Sequence, residues 1–130
     1  MKALLTSLVA TAVLALAAPA IAHHSFAAQY DPSKPVTLTG KVTKVEWTNP
    51  HARFYMSVKA ADGATTSWNL ELASPNYLKR AGWSSTSLKE GDEVTVEGSL
   101  ARSGANMANA RAVTLADGRR VFARSDSDGG

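Results

Sequence analysis

The chain has 130 residues, 45% of them hydrophobic and 19% charged, with a formal net charge of +3. It has no cysteine, which excludes disulfides and thiolate chemistry and leaves stability to packing alone. The basic residues are spread along the chain, with Arg119, Arg120 and Arg124 the only dense group, and that argues weakly for any polyanion partner.

Lys2 is a charged start, residues 3–18 are almost wholly apolar, and Pro19 precedes the small-x-small site Ala20-Ile21-Ala22. This pattern predicts a signal peptide over residues 1–22, cut between Ala22 and His23. A retained anchor would need an apolar run of roughly 20 residues, and this one is shorter. Cleavage leaves 108 residues and a charge of +2, the usual size of one compact domain, in a periplasmic or secreted location with no stable membrane insertion. Nucleic acid is not an expected partner there.

An N-terminal arm over residues 23–35 leads into the barrel domain, expected over residues 36–124. Val36, Leu38, Gly40 and Val42 alternate with Thr37, Thr39 and Lys41 as a half-buried strand. The apolar phase then slips to Val45 and Trp47, which predicts a β-bulge near Thr43-Lys44, with Gly40 permitting a bend. Thr48, Asn49 and Pro50 form a turn and leave His51 at a strand entrance. Ala52, Phe54, Met56 and Val58 alternate along the second strand, Asp62-Gly63 turns the chain, and Thr66, Trp68, Leu70 and Leu72 alternate along the third.

Ser74-Pro75 reads as an N-cap with proline at the first helical position, and Gly82 stops the helix after about two turns. A Gly91-Asp92 turn precedes Val94, Val96, Gly98 and Leu100, the clearest alternation in the chain. Residues 103–109 read as a polar loop, with Asn106 and Asn109 supplying turn chemistry. Residues 110–115 form a last strand, which the Asp117-Gly118 turn joins to Val121-Phe122 in a tight hairpin. Residues 125–130 read as a disordered tail.

Three strands, one short helix and two further strands, with a bent first strand, predict an all-β fold: a five-stranded OB-like Greek-key barrel. Another small antiparallel barrel or sandwich has the same strand count and stays open.

The segments HHSFAAQYD at the mature start, PVTLTGKVTKVEWTNPH, SPNYLKRAGW, SLKEGDEVTVEG and ANARAVTLADGRRVF together resemble a family of small exported bacterial proteins of unknown function. The resemblance spans nearly the whole mature chain, and the HHSF start combined with W-T-N-P-H carries it. It implies a periplasmic OB-like domain and supplies no activity.

The three histidines lie in two places, His23 and His24 at the mature N-terminus and His51 at the first hairpin. After cleavage His23 carries a free α-amine beside its imidazole, and the two nitrogens can chelate one metal ion. Nitrogen-rich sites favour Cu(II) among divalent metals. The expected ligand is therefore copper or a similar divalent metal, held by the His23 amine and ring with His51 or His24 in a brace-like arrangement. The competing readings are an exposed tail for His23 and His24, and a turn role for His51 in which its ring bonds to backbone.

Met56 is in phase with Phe54 and Val58 and is expected in the core, whereas Met107 is a soft thioether in the expected loop. Trp47 and Trp68 are in phase with strand cores. Tyr55, Arg53, Asn69 and Glu71 fall on the outer face of strands two and three, where a metal-free interaction module would bind a peptide, glycan or small anion. Catalysis finds no support of its own. Asp31, Glu46, Glu71, Asp92 and Glu97 are scattered, no nucleophile motif is present, and Ser25 beside His24 points the opposite way in an extended segment. Oxidative chemistry would need the copper site plus an open coordination position.

Overall fold

A computed structural model describes residues 26–122. The expected signal peptide, His23, His24, Ser25 and the expected C-terminal tail lie outside the described residues. The elements run β1 (Tyr30–Glu46), β2 (Arg53–Lys59), β3 (Thr65–Glu71), α1 (Pro75–Arg80), β4 (Glu93–Ala101), β5 (Met107–Leu115) and β6 (Arg120–Phe122). The sheet order is β3-β2-β1-β4-β5-β6, and a parallel pairing of β3 with β5 closes it into a barrel. This is the OB-like arrangement expected from the sequence, with the short β6 added along β5 by the Asp117-Gly118 hairpin.

β1 is long enough to serve two neighbours. Its middle pairs with β4 and its C-terminal part with β2, and the register with β2 shifts between Val42 and Lys44, where the apolar phase slips. The extra residue bends the strand, so that one segment can follow a closing barrel. Glycine is required where backbones approach most closely. A Cβ at Gly40 would stand 2.2 Å from the Ser57 carbonyl oxygen, and one at Gly98, beside the register shift of the β4–β5 pair, 2.1 Å from that of Asn109.

The interior is built from the alternating residues. Val42, Phe54, Met56, Leu70, Leu72, Val96 and Val113 are fully enclosed, and Val45, Trp47, Val58 and Trp68 pack against them half-buried. The connection from β3 to β4 completes the core with Leu78, Trp83 and Leu88. α1 starts where expected: Ser74 Oγ accepts the Tyr77 amide at 3.2 Å and Pro75 occupies the first turn. Gly82, at φ +95°, follows its last turn.

Two boundaries differ from the sequence expectation. β5 begins at Met107, so Met107 and Asn109 belong to a strand and not to a polar loop. Their backbone pairs with Asn69 and Glu71 of β3, a long-range contact that side-chain polarity along residues 103–109 does not signal. β1 begins at Tyr30, ahead of the alternating segment, because Tyr30 pairs with Ala101 and the Arg102 amide donates to the Gln29 carbonyl at 2.9 Å. Arg102 Nε also donates to the Ala27 carbonyl, and its guanidinium faces Asp31. Residues 26–29 form a helical turn held against the end of β4 by these bonds.

Candidate functional site

The Asp62-Gly63 hairpin fixes the register of β2 against β3 so that Arg53 stands opposite Glu71 and Tyr55 opposite Asn69. Arg53, Tyr55, Asn69 and Glu71 thus share the outer face of the two strands, as alternation requires. Glu71, however, is only 5% exposed. The expectation that it forms part of an open polar face is corrected: Tyr30 bonds to it and is itself enclosed, and alternation along a strand cannot report what lies above it.

Glu71 is the hub of a polar cluster. Its Oε2 accepts the Tyr30 hydroxyl at 2.8 Å and Arg53 Nη2 at 3.2 Å, while Oε1 lies 2.9 Å from His51 Nδ1. Arg53 Nη1 also donates to Asn69 Oδ1 at 3.4 Å. Burial pushes the Glu71 carboxyl up, but hydrogen bonds from His51 and Tyr30, and the charges of His51 and Arg53, outweigh it and hold the group below its ordinary range. Tyr30 is fully enclosed, and burial followed by the neighbouring Glu71 charge raises its phenol far above the usual value. Phe26 packs on the Tyr30 ring with centroids 5.6 Å apart, so the start of the described chain is fastened to this cluster.

His51 lies at the entrance to β2 with about a third of its side chain exposed, 35%. Its Nδ1 faces the Glu71 carboxylate. Asn109, expected in a turn, is 4% exposed on β5 and in register with Glu71. Met56 is in the core as expected, and Met107 is half-buried beside Asn69. Among the described residues no three histidine, cysteine, aspartate or glutamate side chains come together as a metal-ligand group.

The other carboxylates serve local structure. Asp31 accepts from the Ser33 hydroxyl and amide, Glu46 pairs with Lys44 at 2.8 Å, Asp92 accepts the Lys89 amide and Glu97 pairs with Arg120. Tyr55 is half-buried on the outer face, with Lys44 Nζ 5.7 Å from its ring centroid. The signal that could have found the cluster is the hairpin register, which sets Arg53 and Glu71 as an opposite-charge cross-strand pair. Nothing local points to Tyr30 as the third partner.

Fold and polar cluster define a small OB-like barrel with a buried carboxylate hub beneath its N-terminal segment. A family model described as a family of unknown function, DUF6152, matches residues 10–110, and the chain belongs to that family. None of the curated proteins matches it. Among solved structures it is similar to the mitochondrial single-stranded DNA binding protein Rim1 of S. cerevisiae, with a TM-score of 0.50 and 13% identity over 64% of this chain and 93% of that one. It is also similar to the N-terminal domain of the PriB protein of Thermoanaerobacter tencongensis, with a TM-score of 0.41 and 20% identity over 64% and 96% of the two chains. At these identities the likeness to Rim1 shows the OB-like fold alone. No described helix is long and apolar enough to cross a membrane.

Proposed function

We propose that the chain is exported, is cut between Ala22 and His23, and works in the periplasm as a small metal-binding protein. Its metal is copper or a similar divalent ion, held by the α-amine and ring of His23 with His51 or His24. The observation that carries this reading is that one carboxylate holds both Tyr30, at the root of the N-terminal arm, and His51. Residues 26–29 form a turn and Phe26 packs on Tyr30, so the three residues from Phe26 back to His23 reach at most about 10 Å beyond it. The mature N-terminus thus stays close to the anchor that also holds the His51 ring. Neutral imidazole and a terminal amine together form the nitrogen-rich set that favours Cu(II). Titration of the protein beginning at His23 with copper and zinc tests it, and binding weaker than high micromolar for both ions would sink the proposal.

A second reading, a metal-free interaction module, is favoured by the half-buried Tyr55 beneath Lys44 on the outer face of β2. Such a face suits a peptide, glycan or small anion. Loss of a hit on a glycan or peptide array in Tyr55→Ala, with copper binding absent, would select this reading over the first. The nucleic-acid ligand in Rim1's name does not transfer, because 13% identity carries only the fold and an exported chain does not meet DNA.

A further inference from the structure

Glu71 accepts hydrogen bonds on both oxygens. Tyr30 Oη and Arg53 Nη2 are donors to Oε2, and an ionised carboxylate can only accept at Oε1 as well. His51 Nδ1 must then carry the proton, and a neutral ring so protonated has its lone pair on Nε2. A metal-binding histidine commonly gives its other ring N–H to a carboxylate, which fixes tautomer and ring orientation and raises ligand basicity.

We propose that Glu71 is a positioning residue for His51, holding its neutral ring in the Nδ1–H form so that Nε2 is the metal-facing atom, and that its bond to Tyr30 makes docking of the N-terminal arm part of the same assembly. This rests on the metal-site reading above and adds the atom that binds, the residue that presents it and the coupling of both to the arm. Two features favour this function over a merely structural ion pair. Glu71 is 5% exposed, so its bonds act with little competition from water, whereas the His51 side chain is 35% exposed and reaches the surface from a buried anchor. In addition, Tyr30 and His51 take different oxygens of the carboxylate, so seating the tyrosine orients the carboxylate that orients the ring. By linkage, whatever stabilises the docked arm strengthens binding at His51, and binding at His51 stabilises the arm to the same extent.

The test has two parts on the mature chain beginning at His23. First, 15N NMR of metal-free protein above the histidine titration reports the neutral tautomer of His51. The proposal expects Nδ1–H, and an Nε2–H ring overturns it without any variant being made. Second, Cu(II) titration compares the native chain with Glu71→Gln and Tyr30→Phe, each checked for native fold by the NMR spectrum. Glu71→Gln is expected to weaken copper by about 10–100-fold. Tyr30→Phe, which leaves His51 and its carboxylate in place, is expected to weaken it less. Native-like affinity in a folded Glu71→Gln protein overturns the positioning role while leaving the metal site standing. If the native chain binds no metal, the site reading fails and the positioning role fails with it.

Discussion

The hydroxyl of Tyr30 and the carboxylate of Glu71 meet at 2.8 Å in a place closed to water, joining the first described strand residue to the last residue of β3. A hydrogen bond to a charged group is worth about 1.5–3 kcal/mol, more than a neutral pair. Tyr30→Phe keeps the ring and its packing on Phe26 and deletes only the donor. It is expected to lower unfolding free energy by about 2 kcal/mol, measured by urea denaturation with an unchanged m-value.

Acid should expose the same group. The Glu71 carboxyl is more acidic in the folded chain than its ordinary value of 4.5, so its contribution is complete above that pH and is lost as pH falls through the folded value. The urea midpoint should hold steady at pH 5–6 and fall below about pH 4.5. Asp31 and Asp117 are also held low, by bonds from Ser33 and Arg119, so part of the fall belongs to them. The difference between native and Glu71→Gln curves isolates the buried group: Glu71→Gln should be less stable than the native chain at pH 6 and approach it on acidification. Parallel curves would show that Glu71 is not held ionised by its partners.

Close backbone approach gives a third expectation. At Gly98 a methyl group would stand 2.1 Å from the Asn109 carbonyl oxygen, a backbone atom that cannot swing away. Gly98→Ala should cost about 3 kcal/mol or more through loss of the β4–β5 pairing, a large single-site effect tied to overpacking. Gly63→Ala meets nothing within 4 Å and strains only its φ of +85°, so about 1 kcal/mol is expected there. Thermal unfolding of the two variants side by side checks the order.

What was legible in the chain follows from this physics. Alternation located the β2, β3 and β4 faces, because burial acts on every second residue of a strand, and the phase slip between Val42 and Val45 marked the bulge seen against β2. The Ser74-Pro75 start was legible because a cap is a local bond. The environment of Glu71 was not legible: its outward phase was correct, but burial comes from Tyr30, far away in sequence. Met107 and Asn109 were missed as strand residues for a related reason, since their parallel partners on β3 are chosen by barrel closure and not by their own pattern. His51 was visible as a candidate ligand, whereas the carboxylate that grips its ring required the fold.

The helix start gives a smaller effect. Ser74→Ala removes the side-chain acceptor for the Tyr77 amide and should cost about 1 kcal/mol. Thermal unfolding beside the native chain measures it, and Ser74→Asp, which restores an acceptor, should recover most of the loss.

Whether the free amine of His23 is a metal ligand is decided by copper titration of the chain beginning at His23 beside a version carrying one extra residue before it. Tight binding to the first and its loss in the second are expected. Equal binding by both would contradict an amine ligand, and no binding by either would show that the histidines hold no metal.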